Sequence, residues 1–196
     1  MKGMSVLRRL RSLGLRRPRI VKRFGRMADG STTVEFALIA MPFFVLLFGL
    51  VEIALTFFAS QLLETATADA ARQILTGRAQ AANFDRAAFA NAVCGNFKVL
   101  LDCSGVVVDV QKVASFDAAN TSGPARNSDG TVNYSGTGYA PGAGGDIVMV
   151  KVYYEWPVMV PTFGLAAGDL PNGKRLLQAT AVFRNEPFPT SSSPSP

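Results

Sequence analysis

Residues 36–51 read FALIAMPFFVLLFGLV, from Phe36 to Val51, without a single charged side chain. Carried on through Glu52 to Phe58, the apolar stretch is longer than twenty residues. At about 1.5 Å per residue, a helix of that length crosses a hydrocarbon core of roughly 30 Å. A helix apolar on every side is seldom found in a soluble domain, and this sequence offers few other helices to surround one. Residues 31–58 are therefore expected to form a single transmembrane helix.

The charge distribution orients it. The chain of 196 residues carries 20 Lys and Arg against 14 Asp and Glu. Ten of those bases (Lys2, Arg8, Arg9, Arg11, Arg16, Arg17, Arg19, Lys22, Arg23 and Arg26) fall in residues 1–26, which hold no acid. The net charge of +6 thus belongs to a short leader, and the rest of the chain is mildly acidic. Positive residues beside a membrane segment stay on the cytoplasmic side, so residues 1–30 read as a basic cytoplasmic leader and those beyond 60 as exported. A cleavable secretory signal also begins with a basic region and an apolar run. Against it stand the length of the basic region, Glu52 within the run, and the absence of a small-residue break before a continuing helical pattern. Nucleic acid is not an expected partner, because Phe24 is the one aromatic among these bases. Contact with anionic lipid is compatible with the same charges.

Past the apolar run, Ala59, Leu62, Leu63, Ala66, Ala70 and Ile74 recur at spacings of three and four, while Gln61, Glu64, Asp69 and Arg72 fall elsewhere on the cylinder. The helix is expected to leave the membrane unbroken and to end near Gly77, a natural C-terminal cap, spanning about 65 Å in all. Pro42 removes one backbone donor within the membrane half and is expected to kink it, a defect neighbouring helices can compensate. Gly49 offers a point of close helix approach.

The exported part reads as a small α+β domain. A short helix is expected over Asn83–Cys94, with Asn83 as N-cap, Phe89 and Val93 on one face, and Gly95 as terminator. Three strands follow: Val106, Val108 and Val110 alternate with Val107, Asp109 and Gln111; Val148, Val150, Val152, Tyr154 and Trp156 form one face of 146–156; Leu177, Ala179, Ala181 and Phe183 form one face of 176–184. A small antiparallel sheet laid on the amphipathic half of the long helix would bury all three faces. The fold class is therefore α+β: a long N-terminal helix on a small antiparallel sheet, with one short extra helix. The domain is assigned to residues 59–186.

Residues 118–146 form a Gly-, Ser-, Asn- and Thr-rich connection expected to be flexible, and the Pro- and Ser-rich tail 187–196 is expected to be unfolded. The GAGG at 142–145 lacks a following helix or lysine, which argues against a phosphate cradle. Cys94 and Cys103 lie on the exported side, where oxidising conditions favour a disulfide; two free structural thiols are the alternative. Their spacing does not suit a redox pair. With no His in the chain and two Cys, neither an enzyme, a metal site nor a cofactor site is expected, and no small-molecule substrate is implied.

The junction before the apolar run, Gly30-Ser31-Thr32-Thr33-Val34-Glu35-Phe36, can be read as a helix start, with Ser31 or Thr32 as N-cap and Glu35 near the positive end of the dipole. That reading leaves open why a carboxylate heads a membrane segment, where ionisable groups are costly. Glu52, about 25 Å further along, reads as a solvated boundary residue too distant to cooperate with Glu35.

At these residues the chain resembles the type IV pilins of the Tad (Flp) class, and specifically the TadE-like pilin-like proteins. In that class a basic leader ends in glycine, a prepilin peptidase cuts after it, and a glutamate followed by an aromatic lies five residues beyond. The resemblance places the cut between Gly30 and Ser31 and makes Glu35 and Phe36 the assembly residues, although the major pilins more often carry tyrosine where Phe36 stands. It extends over residues 28–71 and is echoed by Arg184-Asn185-Glu186-Pro187-Phe188. It implies a pilin-like fold and a minor pilin or pseudopilin of a Tad pilus assembly system, held in the bacterial inner membrane with its domain in the periplasm. The implied partners are the prepilin peptidase and other pilins or Tad assembly proteins. In mechanism, the new amine on Ser31 would pair with Glu35 of a neighbouring subunit. The alternative is an uncleaved single-pass envelope protein whose outer domain binds a partner or surface ligand.

Overall fold

The computed structural model describes residues 31–95, 102–159 and 168–189. The basic leader with Gly30, and positions 190–196 of the expected tail, lie outside the described residues. Helix α1, Ser31–Leu75, contains 45 residues and runs on through Pro42. Proline has no amide hydrogen, so the carbonyl of Leu38 loses its donor one turn earlier in the helix. The chain divides into two compact units within α1, between Leu46 and Leu47. In the first unit, all described residues from Ser31 to Leu46 are helical.

The second unit, from Leu47, contains the rest of α1, two short helices and a sheet. Gly77 adopts φ 75°, and the amides of Thr76 and Gly77 donate to the carbonyls of Arg72 and Ile74 at 3.1 and 3.0 Å. The expected glycine stop thus holds, with Leu75 the last helical residue. A one-turn helix α2, Arg78–Ala81, follows; the periodicity did not suggest it. Helix α3, Arg86–Cys94, begins later than expected. Its N-cap is Asp85 rather than Asn83, because Asp85 is extended and its carboxylate accepts the Ala88 amide at 2.7 Å. Asn83, at φ 50°, instead closes the turn after α2. Gly95 does terminate α3, though in right-handed rather than left-handed conformation.

After a 3-10 turn at Cys103–Gly105 come strands β1 (Val106–Val113), β2 (Ile147–Trp156) and β3 (Arg175–Arg184), in the order β1-β2-β3 and antiparallel throughout. The register places Val108 opposite Val152 and Val152 opposite Ala179; one step along, Val110, Val150 and Ala181 line up. These residues share one core with Ala59, Leu63, Ala66, Ala70 and Ile74 of α1 and with Phe89 and Val93 of α3. The α+β architecture is the expected one, and its apolar faces meet as the alternation implied.

The connection 118–146, expected as a flexible loop, has a defined path. The amide of Val110 donates to Gly138 at 2.9 Å, and that of Ala140 to Val110 at 2.8 Å, so the segment pairs with the outer edge of β1. Asp109 accepts the Gly138 amide at 2.8 Å and Lys151 donates to the Ser122 carbonyl at 3.1 Å, both side chains being buried. Side-chain and backbone hydrogen bonds thus fix a segment whose composition alone gives no element.

Candidate functional site

Among the described residues, nearly every large hydrophobic side chain left exposed lies between Val34 and Phe58 of α1; Phe116 and Met159 are the exceptions. Phe36, Leu38, Met41 and Leu46 are each exposed by more than 70%. An apolar surface this long and continuous around a helix is not viable in water, and requires lipid or other apolar helices. The helix is long and apolar enough to cross a membrane, and fits a membrane anchor.

Glu35 and Phe36 lie side by side near the start of this surface, both exposed. Glu35 is the fifth residue of the helix, beyond the first turn. Phe43 and Phe44, beside Pro42, meet edge to face at a centroid distance of 5.5 Å. Gly49 is open: a side chain added there would meet nothing within 4 Å. Of the two residues expected to flank a processing site, Gly30 lies outside the described residues and Ser31 is the first helical residue.

Glu52 departs from expectation. Instead of a solvated boundary group it is a buried residue, 2% exposed, whose Oε2 accepts the backbone amide of Met159 at 3.3 Å. It lies four residues before Thr56 and seven before Ala59, so it heads the buried stripe of α1. The sequence held that signal, since the three-and-four spacing extends backward to Glu52, but its charge pointed to solvent.

Cys94 and Cys103 are joined in a disulfide, their Cα atoms 5.7 Å apart, tying the end of α3 to the turn before β1. The Arg184-to-Phe188 stretch also has a structural role that its residue types did not disclose. Asn185 is buried, donates to the carbonyls of Pro141 and Ala143, each at 2.9 Å, and its amide donates to Asp146 at 2.8 Å. The Glu186 amide donates to the carbonyl of Leu75 at 2.9 Å, supplying an orphan acceptor at the end of α1 with a donor.

Clefts among the described residues include two on the domain. One of about 320 Å³ is lined by Asp102, Tyr134, Glu155 and Lys174, among others. The other, of about 390 Å³, lies between Gly77, Gln80, Gly142 and Phe188. Among the described residues no group of three or more His, Cys, Asp or Glu could hold a metal ion. Burial pushes Tyr134, Tyr139 and Tyr153 up to about 12, helped at Tyr134 by Glu155. These are tyrosines of the packed domain rather than activated acids.

The feature best set apart from ordinary globular structure is therefore the apolar, outward-facing helix headed by Glu35. Residues 30–72 match the TadE-like protein family. The TadE-like segment starts at the glycine of the junction and covers most of α1, the membrane-compatible half and much of the buried stripe. The match suggests a component associated with the Tad pilus, the TadE-like family itself being a structural, pilus-associated one. No curated protein and no solved structure is similar enough to the chain to count as a match.

Proposed function

We propose that the protein is a minor pilin or pseudopilin of a Tad pilus system, held in the bacterial inner membrane by α1 with its leader cytoplasmic and its α+β domain periplasmic, and cut by a prepilin peptidase between Gly30 and Ser31. The observation that carries this reading is Glu35, five residues beyond that bond, at the head of the run from Phe36 to Val51, which is apolar and mostly exposed. A carboxylate there is costly in lipid unless it meets a positive partner. Cleavage would create one, the amine of Ser31, and a neighbouring subunit in a helical bundle would bring the two together. The ten leader bases support the orientation, since they resist transfer across the membrane. Packing partners for the exposed helix would then be other pilins or assembly proteins, meeting it at Phe36 and near Gly49.

The test is the N-terminal residue and intact mass of the protein from its own host, with and without the prepilin peptidase. A chain beginning at Ser31 only when the peptidase is present is the expected result. Retention of the leader in both strains would overturn it and leave a permanently anchored envelope protein, defined by its outer domain.

A further inference from the structure

The buried stripe of α1 opens with two polar residues, Glu52 and Thr56, ahead of the apolar series that starts at Ala59. Thr56 turns its hydroxyl onto its own helix, donating to the Glu52 carbonyl at 2.9 Å. Glu52 instead receives the Met159 amide, from the irregular segment that follows β2. Meanwhile the outer surface of α1 at this level is still apolar. Ile53, Phe57 and Phe58 are exposed, and the first exposed polar residue beyond Phe58 is Gln61.

That offset decides the environment of the segment. Glu52 lies nine residues before Gln61, about 14 Å along the helix axis. The polar interfacial layer of a bilayer is only about 5–8 Å deep on each side. A segment seated at Glu52 therefore lies deeper than that layer if the apolar surface of α1 is in lipid. The segment suits such a place, since Pro157, Val158 and Met159 are uncharged, Met159 is 64% exposed, and the sequence carries no charge from Trp156 to Gly168. Irregular backbone at membrane depth is tolerated only where its polar groups find partners within the protein. Two of the segment's three backbone nitrogens are accounted for: Pro157 has no amide hydrogen to satisfy, and Glu52 accepts the one on Met159.

We propose that Pro157–Met159 is a second membrane contact: a short segment that the folded domain lowers along α1 into the lipid, with Glu52 as the acceptor its backbone needs there. The proposal rests on α1 spanning the membrane. The occupant of the Met159 surface is the acyl region of the bilayer, because that surface continues at the same level the exposed apolar surface of the helix.

The test uses the full chain in vesicles of phosphatidylethanolamine and phosphatidylglycerol, with Met159→Cys, Leu46→Cys and Ser128→Cys prepared separately. Since Cys94 and Cys103 are bonded, each introduced cysteine is the sole free thiol and takes one nitroxide label. Collision with oxygen, which concentrates in lipid, is compared with collision with a water-soluble nickel chelate. The label at 159 is expected to match that at 46, with an oxygen-to-chelate ratio several-fold above that at 128. A label at 159 that behaves like 128, while 46 remains in lipid, overturns the proposal and leaves the membrane helix intact. Shielding of 159 from both reagents also overturns it, showing a protein surface over the segment. A chelate-accessible label at 46 removes the membrane reading itself, and this proposal with it.

Discussion

Phe188 lays its ring against Gly77, so closely that a carbon placed on that glycine would stand 2.6 Å from Cγ of the ring. Gly77 also holds φ 75°, a backbone conformation from which side chains are largely excluded. Gly77→Ala is therefore expected to destabilise the domain by about 2–3 kcal/mol, combining left-handed strain with displacement of the ring. Urea unfolding of the full chain in detergent measures it. Gly136→Ala, where nothing lies within 4 Å and φ is unexceptional, serves as the neutral control.

Asn185, itself buried, bridges the carbonyls of Pro141 and Ala143. Asn185→Ala removes both donors and is expected to cost about 2–3 kcal/mol. Asn185→Asp should cost more near neutral pH and recover part of the loss in acid, because an ionised carboxylate would face the carbonyl oxygens of Pro141 and Ala143. Unfolding midpoints at the two pH values separate these outcomes; equal losses in both variants at both values would contradict the assigned hydrogen bonds.

The Cys94–Cys103 bond closes a short loop, with a sequence separation of 9. In the chain-entropy view its removal costs about 2–3 kcal/mol. Cys94→Ser, Cys103→Ser and the reduced wild type should therefore share one lowered melting temperature. A wild type insensitive to reductant under unfolding conditions would show that the bond is not formed in the purified protein.

The Ala143 amide donates to Asp146 at 2.8 Å and Lys112 pairs with it at 2.8 Å, which together hold its carboxyl below the ordinary value of 3.8. A carboxyl with a lowered folded pKa contributes stability above pH 4 or so, and that contribution disappears as pH falls through the lowered value. Asp146→Asn should consequently flatten the acid limb of the stability profile while changing the alkaline limb little. On the alkaline side, the tyrosines raised from 10 to about 12 favour the folded state below pH 10, and this preference is lost between those two values. Tyrosinate absorbance rising at about pH 10 in a folded Tyr154→Phe variant, which leaves Tyr134, Tyr139 and Tyr153 as its tyrosines, would contradict their burial.

The helix and the sheet were legible because their apolar residues follow the periods of their own elements. Leu63 and Ala70 fall on the helical stripe, and Val108, Val152 and Ala179 on one face of three alternating strands. Segment 118–146 was not legible, since what fixes it is long-range: Asp109, Lys151 and Gln178 each hydrogen bond to its backbone. Glycine, serine and asparagine permit such a path without specifying it. Glu52 was misread for a related reason. Its acceptor role depends on Met159, a residue 107 positions away, and a carboxylate beside an apolar run otherwise points to water. At the junction it was the resemblance, rather than any packing pattern, that singled out Gly30, Ser31, Glu35 and Phe36; of these, Glu35 and Phe36 lie exposed near the start of α1.

The hydrogen bond from Glu186 to Leu75 has a consequence for the order of events in synthesis. The end of α1 gains that donor from a residue translated 111 positions later, and the cleft beside Gly77 is closed by Phe188. A ribosome that has delivered the helix and even the first two strands has not yet delivered this cap. Contacts so distant along the chain form late, after the costly loop has been closed. The domain therefore locks only when positions 185–188 have joined it, so folding of the sheet and helix waits on a segment that follows the last strand.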